Sequence, residues 1–137
     1  MRFVFLFFLV SIACTTAPAQ QALSYDGYYV SIPDSNNLSP FRYYLRFYPD
    51  GAVIGVNTAG KPENLLAWFK KENPTPYKGK YKMSDSTLQF SMVSEQGEVK
   101  YDGKVADENR LELLVKSLIN KYEGMEAYHF MKMEKIR

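Results

Sequence analysis

Tyrosine is the residue type through which this chain could bind another molecule. The sequence contains 11 tyrosines, and all of them follow residue 19. A tyrosine ring offers an apolar face and a hydroxyl group that needs a hydrogen-bond partner when it is buried. An interior lined by Tyr29, Tyr81 and Tyr101 would therefore suit an amphipathic ligand. The alternative is that the rings fill a narrow interior and satisfy one another.

The stretch "FRYYLRFY" (41–48) has two unusual faces, because alternate residues of a strand point to opposite sides. One face carries Phe41, Tyr43, Leu45 and Phe47; the other carries Arg42, Tyr44, Arg46 and Tyr48. We expect the first face to line an interior and the second to pack under a neighbouring element, with arginines stacked on aromatic rings. If the faces are reversed, Arg46 would enter the interior and anchor a carboxylate or phosphate group.

Catalytic and metal-binding patterns are weak in this sequence. His129 is the one histidine and Cys14 the one cysteine, and no G-x-S-x-G motif occurs. Glu95, Glu98 and Asp102 could bind a hard cation, but their spacing is more typical of solvated charges on a turn and a strand face. We therefore predict a protein that is not an enzyme and that has no cofactor and no metal site.

The first 20 residues, "MRFVFLFFLVSIACTTAPAQ", are typical of an export signal. Arg2 supplies the positive charge, and an apolar stretch too short to span a bilayer follows it. Ala17-Pro18-Ala19 predicts a signal peptide of residues 1–19 and a single domain of residues 20–137. Alternatively, Ser11-Ile12-Ala13-Cys14 resembles a lipobox, with residues 1–13 removed and Cys14 lipidated. Either way we predict a periplasmic, secreted or membrane-anchored protein.

Charge and hydropathy argue against a nucleic-acid partner and against a transmembrane segment. The formal net charge is +2, and the charges of both signs are interspersed along the chain. Such a pattern disfavours nucleic acid as a partner. No second apolar stretch reaches membrane length, so we predict no transmembrane segment.

Short alternating runs that end in turn residues predict strands along the whole domain. The predicted strands are 25–32, 41–48, 52–58, 77–83, 87–93, 98–106, 110–119 and 125–134. Short connections make sequential strands antiparallel neighbours, and closing such a meander removes its edges. We therefore predict an all-β fold, an eight-stranded antiparallel barrel.

One helix interrupts this pattern between strands 3 and 4, in "KPENLLAWFKKENP" (61–74). Pro62 suits the first helical position, and Glu63 suits the first turn. Leu65, Trp68 and Phe69 share one face at helical spacing.

Two resemblances point to a known kind of barrel. Gly27-Tyr28-Tyr29 is similar to the glycine-x-tryptophan signature that opens lipocalins, with tyrosine in place of tryptophan. "YYLRFYPDGAVIGVNTAGKPEN" and "KGKYKMSDSTLQFS", within residues 43–90, resemble the C-terminal β-domain of F-box only protein nine. The matching positions are Tyr44, Arg46, Phe47, Pro49, Asp50, Gly51, Pro62 and Glu63. The resemblances imply a lipocalin-like (calycin-type) barrel and supply no catalytic residues.

We expect a non-enzymatic barrel that binds a small amphipathic or hydrophobic ligand in the cell envelope, with Trp68 and the loop 33–40 at its mouth. The alternative is a filled barrel that binds proteins through its outer surface. The candidate ligand-binding residues are Tyr29, Tyr44, Arg46, Trp68, Tyr81, Phe90 and Tyr101.

Overall fold

The strands follow one another in sequence order around a closed barrel, as the alternating pattern predicts. The computed structural model describes residues 12–14, 22–36, 38–74 and 76–133. In these residues there are eight strands: β1 (Gly27–Ser31), β2 (Arg42–Phe47), β3 (Ala52–Thr58), β4 (Tyr77–Ser84), β5 (Thr87–Ser94), β6 (Gly97–Asp107), β7 (Arg110–Ser117) and β8 (Glu123–Lys132). The predicted all-β fold, its eight-stranded meander and its order are confirmed.

Closure comes from the pairing of the first strand with the last. β1 is antiparallel to both β2 and β8, and Tyr29 lies opposite Leu45 on one side and Phe130 on the other. A barrel closed in this way leaves no row of unpaired backbone groups at an edge.

Alternation along each strand separates the interior from the outer surface. In β7, Leu111, Leu113 and Val115 are buried, while the residues between them are less buried. In β2, Leu45 and Phe47 face the interior core, which confirms the predicted inner face for these two residues. Phe41 precedes β2 and is 53% exposed, so its predicted interior position is wrong.

A second, smaller core lies on the outside of the barrel wall. Tyr28, Tyr44, Ile54 and Val56 form this outer cluster with Leu65 and Phe69. The ring of Tyr28 makes an edge contact with Tyr44 at 5.5 Å between centroids and stacks on Phe69 at 6.3 Å. The helical segment therefore covers the outer face of β2, as predicted.

That segment is shorter than the predicted helix of residues 61–74. It consists of a 3₁₀ turn, Pro62–Asn64, followed by α1, Leu65–Trp68. The hydroxyl of Tyr48 donates a hydrogen bond to the carbonyl oxygen of Phe69, directly after α1. Because the outer cluster accommodates one helical turn, Leu65 and Phe69 bury their side chains and the chain then turns away.

Two glycines allow neighbouring strands to approach closely. A Cβ atom on Gly79 would lie 1.8 Å from the carbonyl oxygen of Ser91, and one on Gly103 would lie 2.0 Å from that of Glu112. In both cases the obstacle is backbone of the adjacent strand, which cannot move aside without disturbing the ladder. Glycine at these positions is therefore required by close packing of the barrel wall.

The predicted leader falls mostly outside the described residues. Residues 1–11 and 15–19 are not described, and the described Cys14 is an exposed free cysteine. No helical segment of the described residues has the length and apolar character that crossing a bilayer would take.

Candidate ligand-binding cavity

The barrel interior contains a cavity of about 450 Å³ at one end. This open end is formed by the beginnings of β2, β4, β6 and β8 and by the ends of the strands between them, since the lining includes Tyr43, Tyr77, Tyr101 and Val115. The volume lies within the range of small-molecule sites, about 300–1,000 Å³.

The opposite end is closed by the chain that precedes β1. Leu23 is buried in the interior core. The backbone N–H of Ser24 donates to the hydroxyl of Tyr29 at 2.9 Å, and the hydroxyls of Tyr25 and Tyr81 are 3.1 Å apart. The Tyr81 hydroxyl also lies 2.7 Å from the carbonyl oxygen of Tyr48, to which it donates.

Aromatic rings fill the interior between the closed end and the cavity. The ring of Phe47 contacts Tyr29, Tyr81 and Phe90 with centroid distances of 5.6, 5.3 and 5.4 Å. Phe90 stacks on Tyr101 at 4.4 Å and 9° between planes. Because Tyr101 also lines the cavity, this stacked pair forms the cavity floor. It separates the half of the barrel that contains the cavity, the open half, from the half that aromatic rings fill, the closed half.

Tyrosine dominates the polar lining of the cavity, through Tyr43, Tyr77, Tyr101 and Tyr122. Burial raises the pKa of Tyr101 far above the ordinary value, and the negative charge of Glu126 raises it further. Burial and then Glu126 likewise raise the pKa values of Tyr43 and Tyr122. These hydroxyls therefore stay protonated near neutral pH and can act as hydrogen-bond donors.

Glu126 projects into the same cavity from β8. It lies opposite Leu113, an interior residue of β7, and it is half-buried. The hydroxyl of Tyr128 donates to its Oε2 at 2.6 Å, and Tyr122 lies close enough that, in addition to burial, the carboxylate raises the pKa of its hydroxyl. The carboxylate is thus held in position among aromatic rings.

The structure divides the predicted site residues between three environments. Tyr29, Tyr81 and Phe90 belong to the aromatic packing of the interior or to its edge. Tyr101 lines the cavity, as predicted. Tyr44 borders the cavity but buries its ring in the outer cluster.

Arg46 and Trp68 lie away from the cavity. The guanidinium carbon of Arg46 sits 4.7 Å from the ring centroid of Tyr48, on the outer face of the wall, which confirms the stacked arrangement expected for that face. Trp68 is 42% exposed. Neither residue lines the cavity, and neither do the described residues of the loop 33–40.

Glu126 is a charged lining residue that was not among the residues predicted from the sequence. The alternation of β8 contains the signal, because Glu126 lies two residues before Tyr128 and therefore on the same face of the strand. Tyr77 and Tyr122 were also not among the predicted site residues. Alternation shows which face Tyr77 takes but not how deep it lies, and Tyr122 lies in the connection between β7 and β8.

Comparisons of the chain with protein-family models, with curated proteins and with solved structures each found no match. The functional reading therefore rests on the cavity itself.

Proposed function

We propose that this protein is an exported, lipocalin-like barrel that binds a small amphipathic molecule in the cavity at its open end. The cavity carries the proposal: about 450 Å³ of space, lined by apolar side chains together with tyrosines and Glu126. Pockets of this kind combine apolar surface with a few polar groups that orient the ligand. The proposal includes no catalytic step.

The alternative is a filled barrel that acts through its outer surface. The aromatic packing between Tyr29 and Phe90 fits that reading for the closed half. It leaves the tyrosine-lined cavity without a role, so we favour binding inside the barrel.

A cavity-filling variant tests the proposal. Val99 lines the cavity, whereas the adjacent Lys100 points outward and is exposed. We expect the neutral fluorescent amphiphile N-phenyl-1-naphthylamine to bind the wild-type protein saturably. Val99→Trp should weaken this binding by about tenfold or more, because the indole occupies the space.

Lys100→Trp is the matched control, because it adds the same ring to the other face of the same strand. It should bind the probe like the wild type. Equal binding by Val99→Trp and the wild type would contradict a site in the cavity. If neither N-phenyl-1-naphthylamine nor decylammonium, decanol or decanoate binds the wild-type protein saturably, the proposed function is contradicted.

The export part of the proposal has its own measurement. Intact mass spectrometry of protein from the native host should give a chain that begins at Gln20, or at an acylated Cys14. A chain that retains Met1 would contradict export.

A further inference from the structure

The charge on the described cavity lining is negative only. Among the described residues that line it, Glu126 carries the single formal charge, and the remaining lining residues are tyrosines, amides, a serine, a glycine and apolar residues. An anionic ligand would meet a like charge there with no cation to pair with. Such a juxtaposition opposes binding.

Within the residues that the structure describes, the carboxylate of Glu126 has a hydroxyl partner but no cationic one. Tyr128 donates a hydrogen bond to it, and Tyr122 lies near it. The ion pairs within the described part of the chain involve other carboxylates, such as Glu123 with Lys116 at 3.6 Å on the outer face of the wall. A half-buried carboxylate without a counter-charge attracts a cation more strongly than a solvated one does, because solvent screens it less.

The aromatic lining favours the same kind of ligand. Rings of tyrosine attract a cation over their faces, and recognition of ammonium groups by aromatic cages uses this attraction. Tyr43, Tyr77, Tyr101 and Tyr122 line the cavity together with Glu126. A hard metal ion would need several oxygen ligands. No group of three or more His, Cys, Asp or Glu side chains in the described residues could hold one.

We propose that the ligand is a small amphipathic organic cation, whose ammonium group pairs with Glu126 among the tyrosine rings and whose apolar part lies along Met92, Val99 and Val115. This inference rests on the proposed function, since it names the ligand class for the same cavity.

Three probes of equal chain length test the ligand class by isothermal titration at neutral pH: decylammonium, decanol and decanoate. We expect the wild type to bind decylammonium about tenfold or more tighter than decanol, and decanoate the most weakly. In Glu126→Gln the preference for decylammonium over decanol should disappear. Glu123→Gln, an exposed carboxylate on the same strand, should leave the preference unchanged.

The possible results separate the ligand class from the proposed function. Decanol or decanoate binding as tightly as decylammonium, or a preference that persists in Glu126→Gln, would overturn the cationic ligand while a cavity site stands. Failure of all three probes to bind would overturn the cationic ligand, and failure of N-phenyl-1-naphthylamine to bind as well would overturn the proposed function. The wild-type series decides the ligand class by itself if Glu126→Gln does not fold.

Discussion

Tyr29 and Tyr101 are both inward-facing tyrosines of one barrel, yet they occupy different kinds of environment. Tyr29 is 0% exposed, its ring packs against Phe47 and Phe130, and its hydroxyl accepts a backbone hydrogen bond. Tyr101 stacks on Phe90 and lines the cavity. The segment before β1 fills the barrel at the level of Tyr29. No described segment does so at the level of Tyr101, where the cavity remains.

The difference separates tyrosines that pack the barrel interior from tyrosines that line a cavity. In the closed half, the hydroxyls of Tyr29 and Tyr81 form hydrogen bonds with backbone groups, and their rings pack against Phe47. In the open half, Tyr43, Tyr77, Tyr101 and Tyr122 line the cavity together with Glu126. We therefore expect substitutions in the closed half to change stability and those in the open half to change binding.

The largest effect should come from the centre of the closed half. Phe47 is 1% exposed and contacts three aromatic rings. Phe47→Ala should lower the free energy of unfolding by about 3–5 kcal/mol, because it leaves a cavity in a packed core. Chemical denaturation measures this loss.

Phe41→Ala is the matched control, since Phe41 is 53% exposed just before the same strand. It should change the free energy of unfolding by less than about 0.5 kcal/mol. Similar losses in the two variants would show that the interior is not packed as described.

A smaller loss of stability is expected from Gly103→Ala, a substitution in the barrel wall. In Gly103→Ala, the new Cβ would meet the carbonyl oxygen of Glu112, so β6 and β7 must move apart. We expect destabilisation of about 1–3 kcal/mol, the usual range for overpacking. The neighbouring, exposed Asp102→Ala should have little effect on the melting temperature. A Gly103→Ala variant that melts at the wild-type temperature would contradict the close approach of the two strands.

The smallest of these effects concerns the outer face. Arg46 stacks on Tyr48, whose hydroxyl bonds to the end of the helical segment. Arg46→Ala should lower the free energy of unfolding by about 0.5–1 kcal/mol and leave binding of N-phenyl-1-naphthylamine unchanged. Lys80→Ala, which removes an exposed positive charge from β4, controls for the change in net charge. Weaker probe binding with unchanged stability would place Arg46 in the ligand site.

Most of the architecture could be predicted from the sequence, because alternation and turn residues are local signals. The strand limits differ from the structure by a few residues, and the outward face of Arg46 was expected. The helical segment was predicted too long, because its length depends on how much of Tyr28, Tyr44 and Ile54 it must cover, which is a tertiary property.

The site was harder to predict than the fold. Tyr101 could be assigned to the interior by alternation, but alternation does not give its depth along the barrel. Trp68 shares a helical face with Leu65 and Phe69 in sequence, yet a single helical turn buries the latter two and leaves Trp68 exposed. Glu126 could be recognised as a lining residue only once the register of β8 against β7 was known.

The difference between the two halves can be measured directly through methionine methyl groups. Met92 lines the cavity, Met83 packs against the core in the closed half, and Met125 is exposed on the outer face. We would label the methionine methyl groups with carbon-13 and record NMR spectra during titration with decylammonium. We predict a saturable shift of the Met92 resonance, with Met83 and Met125 unchanged. A saturable shift at Met83 or Met125 without one at Met92 would contradict ligand binding in the open half.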